Sequence, residues 1–130
     1  MNIPCPCGLP HAYPQCCGRW HAAFAAGQGL QAPDAEALMR SRYSAYVFDR
    51  IDYLLASWHS STRPANLPPN EAGLRWLGLA VKQHSRQDAG HATVEFVARS
   101  KLGGRARRLH EISRFVREDG EWFYIDGDVD

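Results

Sequence analysis

All four cysteines of this 130-residue chain lie between Cys5 and Cys17, in the spacing C-x-C-x8-C-C. Bonding neighbours such as Cys16 and Cys17 to each other demands strained backbone geometry. No charged-then-apolar leader precedes Cys5, so the expected compartment is the cytoplasm, where thiols stay reduced. A two-disulfide staple would need an oxidising compartment, and a redox site would typically show C-x-x-C beside a βαβ pattern. A metal explains the clustering better, because Zn²⁺ takes four tetrahedral ligands and two tight cysteine pairs joined by a short loop can supply them. Pro4, Pro6, Gly8, Pro10 and Pro14 then stiffen the loop and reduce the entropy lost on closing it. Cys5, Cys7, Cys16 and Cys17 are therefore the expected ligands of a structural Zn²⁺. His11 and His21, the neighbouring alternatives, are expected as surface or packing residues.

Cys5-Pro6-Cys7-Gly8, Tyr13 and Cys16-Cys17-Gly18 resemble the SEC-C motif, a small zinc-binding module found at the end of the SecA translocation ATPase and in many other bacterial proteins. That resemblance implies zinc. SEC-C sequences usually follow their first glycine with small and basic residues, as in G-S-G-K-K-Y, whereas Leu9, Pro10, His11 and Ala12 stand here. Basic-loop members are implicated in binding protein partners such as the SecB chaperone. A protein contact through the knuckle remains an expectation, but one stripped of that positive charge.

Hydrophobic residues are 45% and charged residues 22% of the chain, which excludes disordered and collagen-like classes. No apolar run approaches the ~20 residues of a membrane-spanning helix, so no membrane insertion is expected. The formal charge of +1 would fall below zero with four thiolates around a dication, so nucleic acid is a poor candidate partner. Arg105, Arg107 and Arg108 read as a solvated hairpin tip.

Three segments follow. Residues 1–26 hold the knuckle and a short helix from Arg19, with Trp20 and Phe24 one turn apart and suited to docking on a larger domain. Residues 27–33, with two glycines and a proline, read as a linker. Residues 34–130 form the main domain. Asp34 is a helix N-cap with Glu36 in the first turn, predicting a helix over 35–48. Asp49 or Asp52 restarts a second helix with Ile51, Leu54, Leu55 and Trp58 on its apolar side. Residues 60–73, broken by three prolines, read as a loop. Extended segments over 74–87, 91–101, 106–118 and 121–126, separated by turn signals, predict a four-stranded antiparallel meander.

An α+β domain with two helices packed on a curved four-stranded antiparallel sheet describes the NTF2-like cone. Leu38 to Tyr43, Tyr53-Leu54, Trp58-His59, Trp76 to Leu79, Phe96 to Ala98, His110 to Phe115 and Gly120 to Gly127 together resemble the YchJ (UPF0225) family. The resemblance spans nearly the whole chain and implies a SEC-C knuckle joined to an NTF2-like domain.

Alternation in the third strand leaves neither face cleanly apolar, and the resemblance favours Glu111, Ser113 and Phe115 as the inward set. A buried Glu111 needs a partner, with Arg40 and Arg42 as candidates. Two readings follow. In one, an arginine bridges Glu111 and anchors helix to sheet, with Tyr43, Trp58, Trp122 and Tyr124 as core aromatics. In the other, Arg40, Arg42, Tyr43, Trp58, Glu111, Ser113, Trp122 and Tyr124 line a pocket for a small molecule or peptide, and Glu111 or His59 acts as an acid–base group. The expected function is accordingly a zinc-binding adaptor, and the alternative an NTF2-like dehydratase, isomerase or hydrolase. A homodimer through the outward face of the sheet, at Thr93, Glu95, Val97 and Arg99, is a further expectation.

Overall fold

The computed structural model describes residues 3–130, and its architecture is the expected α+β arrangement. Three helices, α1 (Cys17–Ala25), α2 (Ala35–Val47) and α3 (Ile51–Ala56), precede four strands: β1 (Arg75–Asp88), β2 (His91–Leu102), β3 (Arg105–Glu118) and β4 (Glu121–Val129). The strands pair in sequence order, all antiparallel. The last hairpin turns at Asp119 and Gly120, whose φ angles of 51° and 81° give the left-handed geometry that a two-residue hairpin favours.

The carboxylate of Asp34 accepts the Ala37 amide at 2.7 Å and so caps α2. Neither Asp49 nor Asp52 caps α3. Asp49 turns the chain at φ 53°, and Asp52 lies inside the helix's first turn. Only six residues long, α3 buries Tyr53 and Leu54 rather than the expected stripe. The reason is its position against α1 and α2: the Tyr53 ring meets His21 and Phe24 edge-on, and its hydroxyl bonds Ser41 Oγ at 2.7 Å.

The main core lies between α2 and the inner sheet face, where Leu38, Met39 and Tyr43 pack with Val94, Phe96, Phe115 and Trp122. A second cluster joins Leu30, Ala45, Tyr53 and Leu54 to Trp20 and Phe24, which do dock the knuckle helix on the domain. Residues 27–33 pack closely: Leu30 and Ala32 are buried, and the Leu30 amide donates to the Glu121 carboxylate at 2.7 Å. On the outer face Val97 is only 1% exposed and Glu95 is engaged by His110 at 2.7 Å, so the expected dimer set does not form an open apolar surface. No helix among the described residues is long and apolar enough to cross a membrane.

Candidate metal centre and cavity

The knuckle gathers its sulfurs through local backbone bonds. Cys5 N–H donates to the His11 carbonyl at 2.9 Å and Pro4 bridges Ala12, closing the loop that carries Cys5 and Cys7. A 3-10 turn over Tyr13–Gln15 follows, its Tyr13 carbonyl accepting the Cys16 amide at 3.0 Å, and Cys17 opens α1. Gly18 packs directly on the Tyr13 carbonyl, where any side chain would collide. All four cysteines are buried, and their Sγ atoms lie within 4.8 Å of one another. Cys7 and Cys16 are separated by 3.6 Å, close to the ~3.8 Å edge of a tetrahedron with metal–sulfur bonds of about 2.3 Å.

The donor chemistry also fits a cation. Contact with Cys17 draws the Cys7 thiol down to about 5, while burial, followed by the neighbouring sulfurs, pushes Cys16 up to about 12. The Cys7 contact and burial push Cys17 upward as well. Crowded sulfurs thus resist ionising together, and a bound cation removes that resistance because it stabilises every thiolate at once. The four cysteines are placed to hold one metal ion between them.

Helix α2 separates this centre from a cavity of about 330 Å³ at the sheet's inner face. Glu111, 9% exposed, sits in its wall, and Glu111 Oε2 accepts from the Ser113 hydroxyl at 2.5 Å and the Tyr124 hydroxyl at 3.1 Å. Arg42, 5% exposed, donates through Nη1 to the Leu54 carbonyl at 2.8 Å and to Ser57 Oγ at 2.7 Å. Its guanidinium stacks 4.7 Å from the Tyr124 ring centre and 5.1 Å from that of Trp58. Burial lowers the Arg42 pKa below its ordinary value, and burial followed by the Glu111 charge raises that of Tyr124.

The expected bridge between an arginine and Glu111 is therefore corrected. Among the described residues no cation pairs with Glu111; two hydroxyls hold it instead. Arg42, Tyr43, Trp58, Glu111, Ser113 and Tyr124 meet at the cavity, whereas Arg40, Trp122 and His59 do not. Arg40 turns the other way, toward Glu36 and the Cys7 carbonyl, because successive helix positions point about 100° apart. Trp122 is core, packed in the sheet-to-helix cluster. Because α3 ends at Ala56, His59 lies outside it and bonds Ser61 and Glu118.

A register shift in β4 places the last parts. Tyr124 faces Phe115, Ile125 is bulged, Asp126 faces Arg114 and Gly127 faces Ser113. Strict alternation would have put Asp126 inward with Tyr124, setting a second carboxylate near Glu111. The bulge sends Asp126 outward to an ion pair with Arg114 at 2.6 Å. Gly127 comes inward, where a Cβ would strike the Glu111 carboxylate. Gly127 and Trp76, which also lines the cavity, were missed in sequence; Trp76 stood at an inward position of a strand whose alternation is weak.

A four-cysteine knuckle docked on a helix-covered antiparallel cone defines a SEC-C plus NTF2-like protein. Residues 34–127 match the family described as "YchJ, middle NTF2-like domain". UPF0225 proteins of Bordetella pertussis and Methylibium petroleiphilum are 62% and 63% identical, covering 96% and 98% of this chain and 92% and 90% of their own. This chain belongs to the YchJ (UPF0225) family. Two solved structures share its form. A SEC-C motif containing protein from Rhodopseudomonas palustris superposes with a TM-score of 0.79 at 30% identity, over 97% of this chain and 98% of that one. One from Psychrobacter arcticus gives 0.78 at 27% identity, over 95% and 80%.

Proposed function

We propose that the protein is a zinc-stabilised binding protein whose NTF2-like cavity takes a small, flat, largely apolar ligand bearing one hydrogen-bond donor. Cavity chemistry carries the reading: aromatic and aliphatic walls surround a buried carboxylate whose Oε2 is held by two hydroxyls and which has no cationic partner among the described residues. Such a carboxylate favours a ligand N–H or O–H, while the rings favour a planar body. Arg42, buried in the same wall but not bonded to Glu111, brings the opposite charge within electrostatic range, which favours a neutral ligand over a cation. Zinc is the metal that suits four thiolates with no open position, and reduced thiols suit the cytoplasm. The knuckle's exposed Pro10, His11, Pro14 and Gln15 offer a protein partner a surface without lysine or arginine.

Protein-detected ¹H–¹⁵N NMR with indole, against N-methylindole that lacks the donor, tests the cavity. Indole should shift the Ser113 and Tyr124 amides and bind about tenfold tighter than its methylated analogue, the worth of one hydrogen bond to a charged group. Glu111→Met should erase that difference. If neither probe moves those amides, the cavity does not serve ligand binding. Zinc content near one per chain, lost in Cys16→Ser, tests the metal.

The Ser113–Glu111–Tyr124 network also supports a second reading, in which Glu111 shuttles a proton in a dehydratase or isomerase reaction. Turnover of a bound ligand that disappears in Glu111→Gln, with binding retained, would establish it.

A further inference from the structure

Helix α2 is the shared wall of the metal centre and the cavity. Its knuckle-facing positions are Arg40, Ser41 and Ser44; its cavity-facing positions are Met39, Arg42, Tyr43 and Tyr46. Three bonds tie the first set to the knuckle. Arg40 Nη1 donates to the Cys7 carbonyl at 2.8 Å, Ser44 Oγ lies 3.7 Å from Cys5 Sγ, and the Ser41 carbonyl is 2.8 Å from His21 Nε2. Ser41 and Ser44 are fully buried, so these groups have no water to bond in their place. A further contact comes from β1: Leu79 packs on the cysteine cluster and also on the main core.

We infer that metal in the knuckle sets the position of α2 and thereby the shape of the cavity, with Arg40 and Ser44 as the positioning residues. The inference deepens the proposed function and rests on its metal, but not on any particular ligand. Four thiolates around a dication carry two excess negative charges. Arg40 places a cation on the backbone carbonyl of one ligand, Cys7, and the Ser44 hydroxyl can donate to the Cys5 thiolate, so both favour the loaded knuckle. Glu36 bonds Arg40 Nε at 2.9 Å and fixes the guanidinium in that pose. A loaded knuckle holds the Cys7 carbonyl and Cys5 sulfur still, and the bonds to Arg40 and Ser44 transmit that restraint to one side of α2. The opposite side carries Arg42 and Tyr43, two and three residues along from Arg40, in the cavity wall. Linkage is reciprocal, so whatever fills the cavity and holds α2 must slow metal loss.

The test uses the full-length metal-loaded protein and needs no cavity ligand. Chelator competition measures metal release in wild type, Arg40→Ala, Arg40→Lys and Ser44→Ala; ¹H–¹⁵N spectra then follow the Trp58 and Trp76 indole signals and the Ser113 amide as wild-type metal is withdrawn. Arg40→Ala should release metal at least about tenfold faster, as loss of an outer-shell partner commonly does. Arg40→Lys should recover part of the deficit, because an ammonium can reach the carbonyl but cannot also keep the fork to Glu36. Metal withdrawal should move the Trp58, Trp76 and Ser113 signals while those of Arg105 to Arg108, at the far hairpin, stay put. Wild-type release rates in Arg40→Ala and Ser44→Ala would overturn the positioning roles. Cavity signals that stay fixed while those of residues 5–18 change would overturn the coupling. Collapse of the whole spectrum would show a dependence of the entire fold on metal and would overturn the route through α2. Absence of metal from the wild type would instead refute the zinc site itself.

Discussion

The knuckle and the sheet domain bury their side chains for different reasons. In the knuckle the buried hydrophobic cluster is four cysteines, with Leu9, Tyr13 and Leu79 as the partly buried hydrophobic residues packed against it. The domain instead buries aliphatic and aromatic residues from α2 and four strands in one continuous cluster. Apolar burial stabilises by about 25 cal/mol per Å² and is distributed, so any one contact can be lost at limited cost. A metal-held loop has no such reserve, because removing one ligand removes the reason for the other three to approach. Size therefore does not decide which region is more fragile; the kind of interaction does.

The widest separation between the two regions should come from paired substitutions. Cys17→Ser should abolish metal binding, an interaction worth about 10–16 kcal/mol in structural zinc peptides, and unfold residues 5–18 while the sheet persists. Phe115→Ala should cost about 3–5 kcal/mol of domain stability and leave the metal content unchanged. Metal analysis together with urea unfolding followed by circular dichroism checks both. A Cys17→Ser protein that keeps its metal would break the contrast. A smaller effect is expected at the cavity, where Gly127→Ala forces a methyl against the Glu111 carboxylate and should cost about 1–3 kcal/mol. Because Glu111 can move only by stretching its bonds to Ser113 and Tyr124, the Tyr124 ring signals should shift in the same variant. An unchanged unfolding midpoint and unchanged Tyr124 signals would mean the carboxylate is not held there.

Much of this was legible in residue order, and the exceptions share a cause. Cysteine spacing pointed to the clustered thiols because ligand chemistry is local, and Asp34 and the turn signals between the extended segments pointed to the helix start and the antiparallel meander. Arg40 and Arg42 are both arginines on one helix, and only packing reveals that one turns to Cys7 and the other to Trp58 and Tyr124. The cavity depends on a bulge at Ile125 that no turn residue announces, and this bulge decides that Gly127 rather than Asp126 stands beside Glu111. His59 illustrates the same limit: its distance from the cavity follows from α3 stopping at Ala56, an end set by Ser57 folding back on Tyr53 and Leu54.

The smallest expected effect is a pH contrast between two histidines. His21, in the knuckle helix, is 3% exposed and bonded to Tyr13 and the Ser41 carbonyl, and burial lowers its pKa below 6.5. His110, on the sheet's outer face, is gripped by Glu95 first and Asp130 second, which raise its pKa above 6.5. The signs oppose each other. Below about pH 6.5 an unfolded chain protonates its His21 while the folded one does not, so that ring's contribution is lost as pH falls. For His110 the folded state binds the extra proton, so its contribution is complete below about pH 6.5 and is lost as pH rises through the folded value. Because acid also strips metal from thiolates, the rings themselves are the proper readout. In an NMR titration from pH 5 to 8 of the metal-loaded protein, His21 should still be neutral where His110 is already protonated. Glu95→Gln should bring His110 back toward 6.5 and leave His21 untouched. A His21 ring that titrates at or above the His110 ring would show that the knuckle helix admits water, and that the docking of α1 on α2 is looser than its buried hydrogen bonds require.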